Sequence, residues 1–141
     1  MSLNLIAVTD QITTQLNLLS QDVYETAAPD DSSLSFDASG NLLPYIVVQY
    51  SEMYPTANDN GITGAKYDSA KSYMLVSCVA QNERATRQVA DAVKNNIVGF
   101  QPSDAGEIRF EGGAIAYSAI ETKPNRYITE IGFTFPVNTV W

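Results

Sequence analysis

Histidine is absent from the 141 residues, cysteine occurs once, and only eight basic side chains stand against sixteen acidic ones. Without histidine the commonest general base and the commonest metal ligand are both missing. A Ser-His-Asp or Cys-His constellation is impossible within the chain, no G-x-S-x-G elbow occurs, and one thiol falls short of what a zinc site requires. The single Cys78 has no partner for an internal disulfide, which fits a reducing compartment. It falls in phase with Met74, Val76 and Ala80, where a small buried hydrophobe is expected. No catalytic residue, metal or cofactor is expected, and the chain is not expected to be an enzyme.

The shortage of positive charge excludes a second class. A net charge of −8 repels phosphate-rich partners from the bulk surface, so sequence-independent DNA binding is disfavoured. Long apolar runs are missing too. The first twenty residues lack a basic n-region and are interrupted by Asp10, Gln11 and Gln15, so neither a signal peptide nor a membrane span is expected there. Two acidic turns, Asp37-Ala38-Ser39-Gly40-Asn41 and Asn58-Asp59-Asn60-Gly61, fail the loop arithmetic of a calcium site and read as Asx turns. Gly61-Ile62-Thr63-Gly64-Ala65-Lys66 lacks phosphate-loop spacing.

Core-forming residues are plentiful. Hydrophobic content is 45%, with eight Tyr, five Phe and one Trp, so the chain buries one core and reads as a single domain over residues 1–141. Leu5, Val8, Ile12, Leu16 and Leu19 recur at helical spacing and predict a helix over roughly residues 4–20. Residues 23–27 read as a short extended segment, and 45–50, dense in β-branched and aromatic residues, as a strand covered on both faces. A strand from Tyr73 to Ala80 leads into a helix with Asn82 as cap, Glu83 in its first turn, and Val89, Val93 and Ile97 inward. On its outer face Glu83 with Arg87, and Arg87 with Asp91, have ion-pair spacing. Gly99 is its left-handed stop, with Phe100 folding back. The remainder reads as a three-strand meander over 107–111, 114–122 and 127–137, broken at Gly112-Gly113 and Lys123-Pro124-Asn125. In the last strand Tyr127, Thr129, Ile131, Phe133, Phe135 and Val137 share the core side.

This order predicts an α+β fold, a mainly antiparallel, mixed sheet with two principal helices on one face. The polar stretches 28–43 and 53–71 are expected to be mobile loops. Aromatics in polar surroundings are enriched at interfaces, which makes Tyr54, Tyr67 and Trp141, together with the loop residues Asn58, Asp59 and Lys66, the candidate contact residues.

The cassette Tyr73-Met74-Leu75-Val76-Ser77-Cys78-Val79-Ala80, followed by Arg84-Ala85-Thr86-Arg87-Gln88-Val89-Ala90-Asp91-Ala92-Val93 and the Gly99-Phe100-Gln101-Pro102 stop, resembles the tail terminator (tail completion) proteins of tailed bacteriophages. Pro124-Asn125-Arg126-Tyr127 leading into Ile131-Gly132-Phe133-Thr134-Phe135 is similar to that family's last hairpin. The resemblance implies a structural virion protein that assembles as a homohexameric ring on the finished tail tube and stops its polymerisation. It also implies a joining surface for the head or neck. The implied partners are further copies of the chain, the tail tube protein and a head-tail connector or neck protein. DNA would pass through an acidic channel without specific binding, and no membrane is involved. The implied place is the head-proximal end of the virion tail, after assembly in the host cytoplasm. Two other readings fit the same composition: a head-closure or neck ring subunit, and a small acidic ligand-binding or carboxylate-using enzyme domain with its pocket under the long loop.

Overall fold

The computed structural model describes residues 5–28, 33–51, 54–55, 69–103, 105–113, 117–119 and 126–138. The elements in chain order are α1 (Leu5–Leu16), β1 (Asp22–Glu25), β2 (Tyr45–Tyr50), β3 (Tyr54–Pro55), β4 (Ser69–Ala80), α2 (Glu83–Ile97), β5 (Arg109–Gly113), β6 (Tyr117–Ala119) and β7 (Arg126–Asn138). The sheet runs β1-β2-β4-β7-β5, with β3 added to β4 and β6 added to β7. Among the described residues β1 and β2 pair in parallel and the other pairs are antiparallel. The fold is α+β with a mixed sheet, as the residue pattern predicts.

Both helices cover one face. Val8, Ile12 and Leu16 of α1 and Val89, Ala90, Val93 and Ile97 of α2 close over Ile46, Val48, Met74, Val76, Cys78, Ile131, Phe133, Phe135 and Val137. These sheet residues alternate along their strands because successive side chains of a strand point to opposite faces. The expected strand 45–50 is indeed covered twice. Tyr45 and Val47 turn to the other face and form a second, smaller core with Val79, Leu34 and Leu42. Thus part of the polar stretch 28–43 packs down on the sheet through two leucines. Asp37 organises its tip by accepting from the backbone N–H groups of Ser39 and Asn41, each at 2.9 Å, and these bonds hold the exposed carboxyl below its ordinary range.

Three sequence expectations change. First, α1 stops at Leu16 instead of near residue 20, because the chain tightens: Leu18 N–H donates to Gln15 O at 3.2 Å and Leu19 N–H to Leu16 O at 3.0 Å. Leu19 still packs against the core. Second, the stretch 53–71 is not loop throughout. Tyr54 and Pro55 pair with Lys71 and Ala70, and β4 begins at Ser69 because the thirteen-residue β7 offers a ladder partner for each residue of β4. Backbone pairing is indifferent to the polarity that made these residues look like loop.

Third, Gly112-Gly113 is not a turn between meander strands. Arg109 to Gly113 pairs with β7 around residues 131–134, and Tyr117 to Ala119 pairs with β7 at 126–128, so β5 and β6 lie end to end along one edge. A bulge between Phe110 and Gly112 shifts the register, and Gly112 carries φ +144 there, a conformation that side chains avoid. Glycines that looked like a turn instead bend one long edge.

Helix α2 follows its sequence signals closely. Asn82 Oδ1 accepts from Ala85 N–H at 2.8 Å, Gly99 takes φ +87, and Phe100 N–H returns to Ile97 O. Arg87 pairs with Glu83 at 3.4 Å as expected, but Asp91 pairs with Lys94 at 3.3 Å instead of with Arg87. All four groups are substantially exposed, so the exchange of partner carries little energy.

One polar link ties α2 to the sheet. Thr86 Oγ1 donates to Glu83 O at 2.6 Å and receives the Thr129 hydroxyl at 3.1 Å, both side chains being buried. Replacing Thr86 by Val should strand the Thr129 hydroxyl without a partner and cost about 1–3 kcal/mol in urea unfolding. Thr129→Val leaves Thr86 with its acceptor and should cost visibly less.

Candidate interaction surfaces

Among the described residues the helix-free face of the sheet is only partly covered. The segment 33–43 covers Tyr45, Val47 and Val79, where Tyr24 meets Tyr45 edge-on with ring centroids 5.8 Å apart. Towards the other edge, Tyr73, Leu75, Glu111, Gly112, Gly113, Glu130 and Gly132 line a shallow concavity of about 370 Å³. Tyr73 lies across Gly132: a Cβ there would meet the Tyr73 Oη at 2.2 Å, so the ring has this resting place only because residue 132 has no side chain. Tyr73 nevertheless remains 38% exposed. Glu111 is turned onto the sheet by the Thr134 hydroxyl, which donates at 2.6 Å. Gly132→Ala should displace the Tyr73 ring into solvent, read as a change in tyrosine fluorescence and acrylamide quenching with only a small change in stability.

Among the described residues β1 and β5 form the two edges of the sheet. At one, β1 presents Asp22 and Glu25. Glu25 accepts from the Thr13 hydroxyl of α1 at 2.7 Å, and Thr13 in turn lies 2.8 Å from the Tyr50 hydroxyl, which fastens α1 to both β1 and β2. Burial pushes the Tyr50 phenol well above its ordinary range; the Thr13 hydrogen bond opposes that, and the Glu25 and Asp10 charges reinforce it. Helix α1 carries no basic residue.

At the other edge, β5 presents Phe110, 44% exposed. Its ring lies 5.7 Å from that of Phe133, and Lys94 Nζ sits 5.2 Å from its centroid. Arg87, Asp91 and Lys94 of α2 form with Phe110 the wall of a groove beside this edge. Arg109 is on the opposite, helix-free side, being the neighbour of Phe110 along the strand.

Among the described residues no group of three His, Cys, Asp or Glu side chains is placed to hold a metal ion. No described helix is long and apolar enough to cross a membrane. Cys78 is fully buried, and burial pushes its thiol up to about 12, the reverse of what a nucleophile requires.

Of the contact residues predicted from sequence, Tyr54 lies in β3, backbone-paired with Lys71. Asn58, Asp59, Lys66, Tyr67 and Trp141 lie outside the described residues. Sequence reasoning passed over Tyr73 and Phe110. Tyr73 was legible, since it falls out of phase with Met74, Val76 and Cys78 and so had to face away from the core. Phe110 was not, because its half-exposure follows from its place on a sheet edge.

The fold thus defines an α+β protein with a helical layer on one side of a mixed sheet whose edges, among the described residues, are β1 and β5. No protein-family model and no curated protein matches the sequence. Among solved structures the chain is similar to one chain of the virion of a native gene transfer agent particle, at 19% identity and a TM-score of 0.52, over 94% of this chain and 92% of that one. At that identity the likeness is one of fold.

Proposed function

We propose that this protein is a structural virion protein of a phage-like particle, and that within the particle it is the subunit that caps the finished tail tube as a ring, stops polymerisation and offers a joining surface to the head or neck. The observation that carries the reading is the near full-length fold likeness to a chain of the gene transfer agent virion. The resemblance of the β4-α2 cassette and of β7 to tail terminators supports the finer placement. The chain's work in this reading is done by surfaces and not by catalysis, and the partners are other copies of the chain, the tube's last ring and a connector or neck protein. A net charge of −8 suits a ring through which DNA passes without adhering.

Mixing purified protein with tail tubes and, separately, with portal or connector rings tests this by electron microscopy. Caps at one end of the tubes, together with arrest of tube growth, are the expected result. Binding to connector rings but not to tubes would assign the chain to the neck instead, and binding to neither would overturn the structural reading.

A further inference from the structure

The shallow concavity on the helix-free face is built around a glycine. Across the strands, Gly132 of β7 stands between Leu75 of β4 and Gly112 of β5, with Gly113 next on β5, so the middle of this row carries little side chain. Glycine inside a strand weakens it and recurs where another group approaches closely. Tyr73 and Glu111 stand on the two strands that flank β7, two strand spacings or about 10 Å apart at the backbone. Leu75 gives the concavity an apolar wall, and Glu130, two residues before Gly132, closes one end.

Both flanking groups answer positive charge. The Tyr73 ring rests against Gly132 and keeps 38% of the residue exposed, so part of its π surface is open to a cation. The exposed Glu111 accepts one hydrogen bond, from the buried Thr134 hydroxyl at 2.6 Å, which fixes one carboxylate oxygen and leaves the second to accept from elsewhere. Among the described residues Glu111 is in no ion pair. The nearest described cations of this face are Arg109, opposite Thr134, and Lys71, two residues before Tyr73; both lie towards the end away from Glu130, and neither is paired with Glu111. A net charge of −8 draws cationic partners towards the molecule. Arginine matches the arrangement best. Its planar guanidinium stacks on an aromatic ring while its N–H fork binds a carboxylate, and its aliphatic stem suits an apolar wall such as Leu75.

We infer that this concavity receives an arginine side chain from a partner protein, with the guanidinium held between the Tyr73 ring and the Glu111 carboxylate. The site stands whether or not the chain caps a tube; that the arginine belongs to the tube's last ring rests on the capping reading above.

Titrating the full, nitrogen-15-labelled chain with N-acetylarginine methylamide tests the site by NMR. Saturable shifts of the Gly112, Gly113 and Gly132 amides at millimolar ligand are expected, and the citrulline analogue, which keeps the shape and lacks the charge, should leave them in place. Glu111→Gln and Tyr73→Leu should each weaken binding at least about fivefold. Tyr73→Phe keeps the ring and should keep the affinity, as should Glu83→Gln, which removes an exposed carboxylate from α2. The spectra themselves report whether each variant is folded. Equal shifts from arginine and citrulline, or affinity unchanged in both Glu111→Gln and Tyr73→Leu, would overturn the site. The partner is tested on tail tubes, where Glu111→Gln should leave fewer ends capped than the unaltered chain does. Capping that survives the loss of arginine binding would overturn the tube as the partner. Absence of capping by the unaltered chain would overturn the capping reading and leave the arginine site standing on the titration.

Discussion

Phe133→Ala should be among the most destabilising single substitutions in this protein, costing about 3–5 kcal/mol, which is a large part of a typical domain's stability. Phe133 is fully buried on β7, between Met74 of β4 and Phe110 of β5, under the helical layer. Its removal leaves a cavity that three paired strands cannot close without breaking ladder bonds. Phe110→Ala is the matched control. That ring touches the same partner but is 44% exposed, so its loss should cost only about 1 kcal/mol. Urea unfolding of the two variants checks the ordering; comparable losses would mean that the β5 edge is as constrained as the centre of the sheet.

The second large effect concerns Cys78. Its side chain is fully buried among Ile46, Val76 and Thr129 on neighbouring positions of three strands, and burial carries the thiol from 9.0 up to about 12, partly opposed by Lys94. Iodoacetamide at neutral pH should therefore label the native protein at least about a thousandfold more slowly than the urea-unfolded chain, because reaction must wait for opening. The same burial sets a pH dependence. The folded-state value is raised, so the thiol's contribution is complete below pH 9 and is lost as pH climbs from 9 towards 12, where the unfolded chain ionises and the native one does not. The full loss is on the order of 4 kcal/mol at the alkaline end. Tyr50, raised by burial from 10.0, acts in the same direction from pH 10 upward and so overlaps this window. Cys78→Ala should make the fall in stability between pH 9 and 12 shallower, most visibly between pH 9 and 10; an unchanged profile would show that the thiol is solvated in the native state.

How far the residues foretold the structure varies by element. The cap at Asn82, the stop at Gly99 and the inward stripe Val89, Val93 and Ile97 were all legible, because capping and helical periodicity act within a few residues of one another. The alternation in β7 was legible for the same reason, and its odd-numbered residues from Thr129 to Val137 do face the core. Glycine was less informative. Gly99 and Gly112 both adopt positive φ, yet one ends a helix and the other bends a strand, and only the presence of β7 alongside decides which. The polar run beginning at residue 28 contained two core leucines, Leu34 and Leu42, isolated from any periodic pattern. Their burial depends on a patch of sheet in which Tyr45 and Val47, a few residues on, lie beside Val79, which strand pairing alone brings alongside.

The candidate surfaces divide in the same way. That Tyr73 faces away from the helices follows from strand phase alone, whereas its settling on Gly132 requires β4 and β7 to be neighbours. Asp22 and Arg109 are ordinary charges in the sequence, and only the strand order sets them at opposite edges of one sheet.

By itself, then, the sequence determined the helices, the strands with strong alternation, the face each residue presents, and the acidity and lack of histidine that narrow the chemistry. These are properties of neighbouring residues, set by sterics and by burial of apolar side chains. The tertiary structure alone decided which strands pair, that β1 joins in parallel, and that β5 and β6 lie end to end along one edge. Strand pairing is made by backbone groups common to all residues, so its partners leave no signature in the side chains.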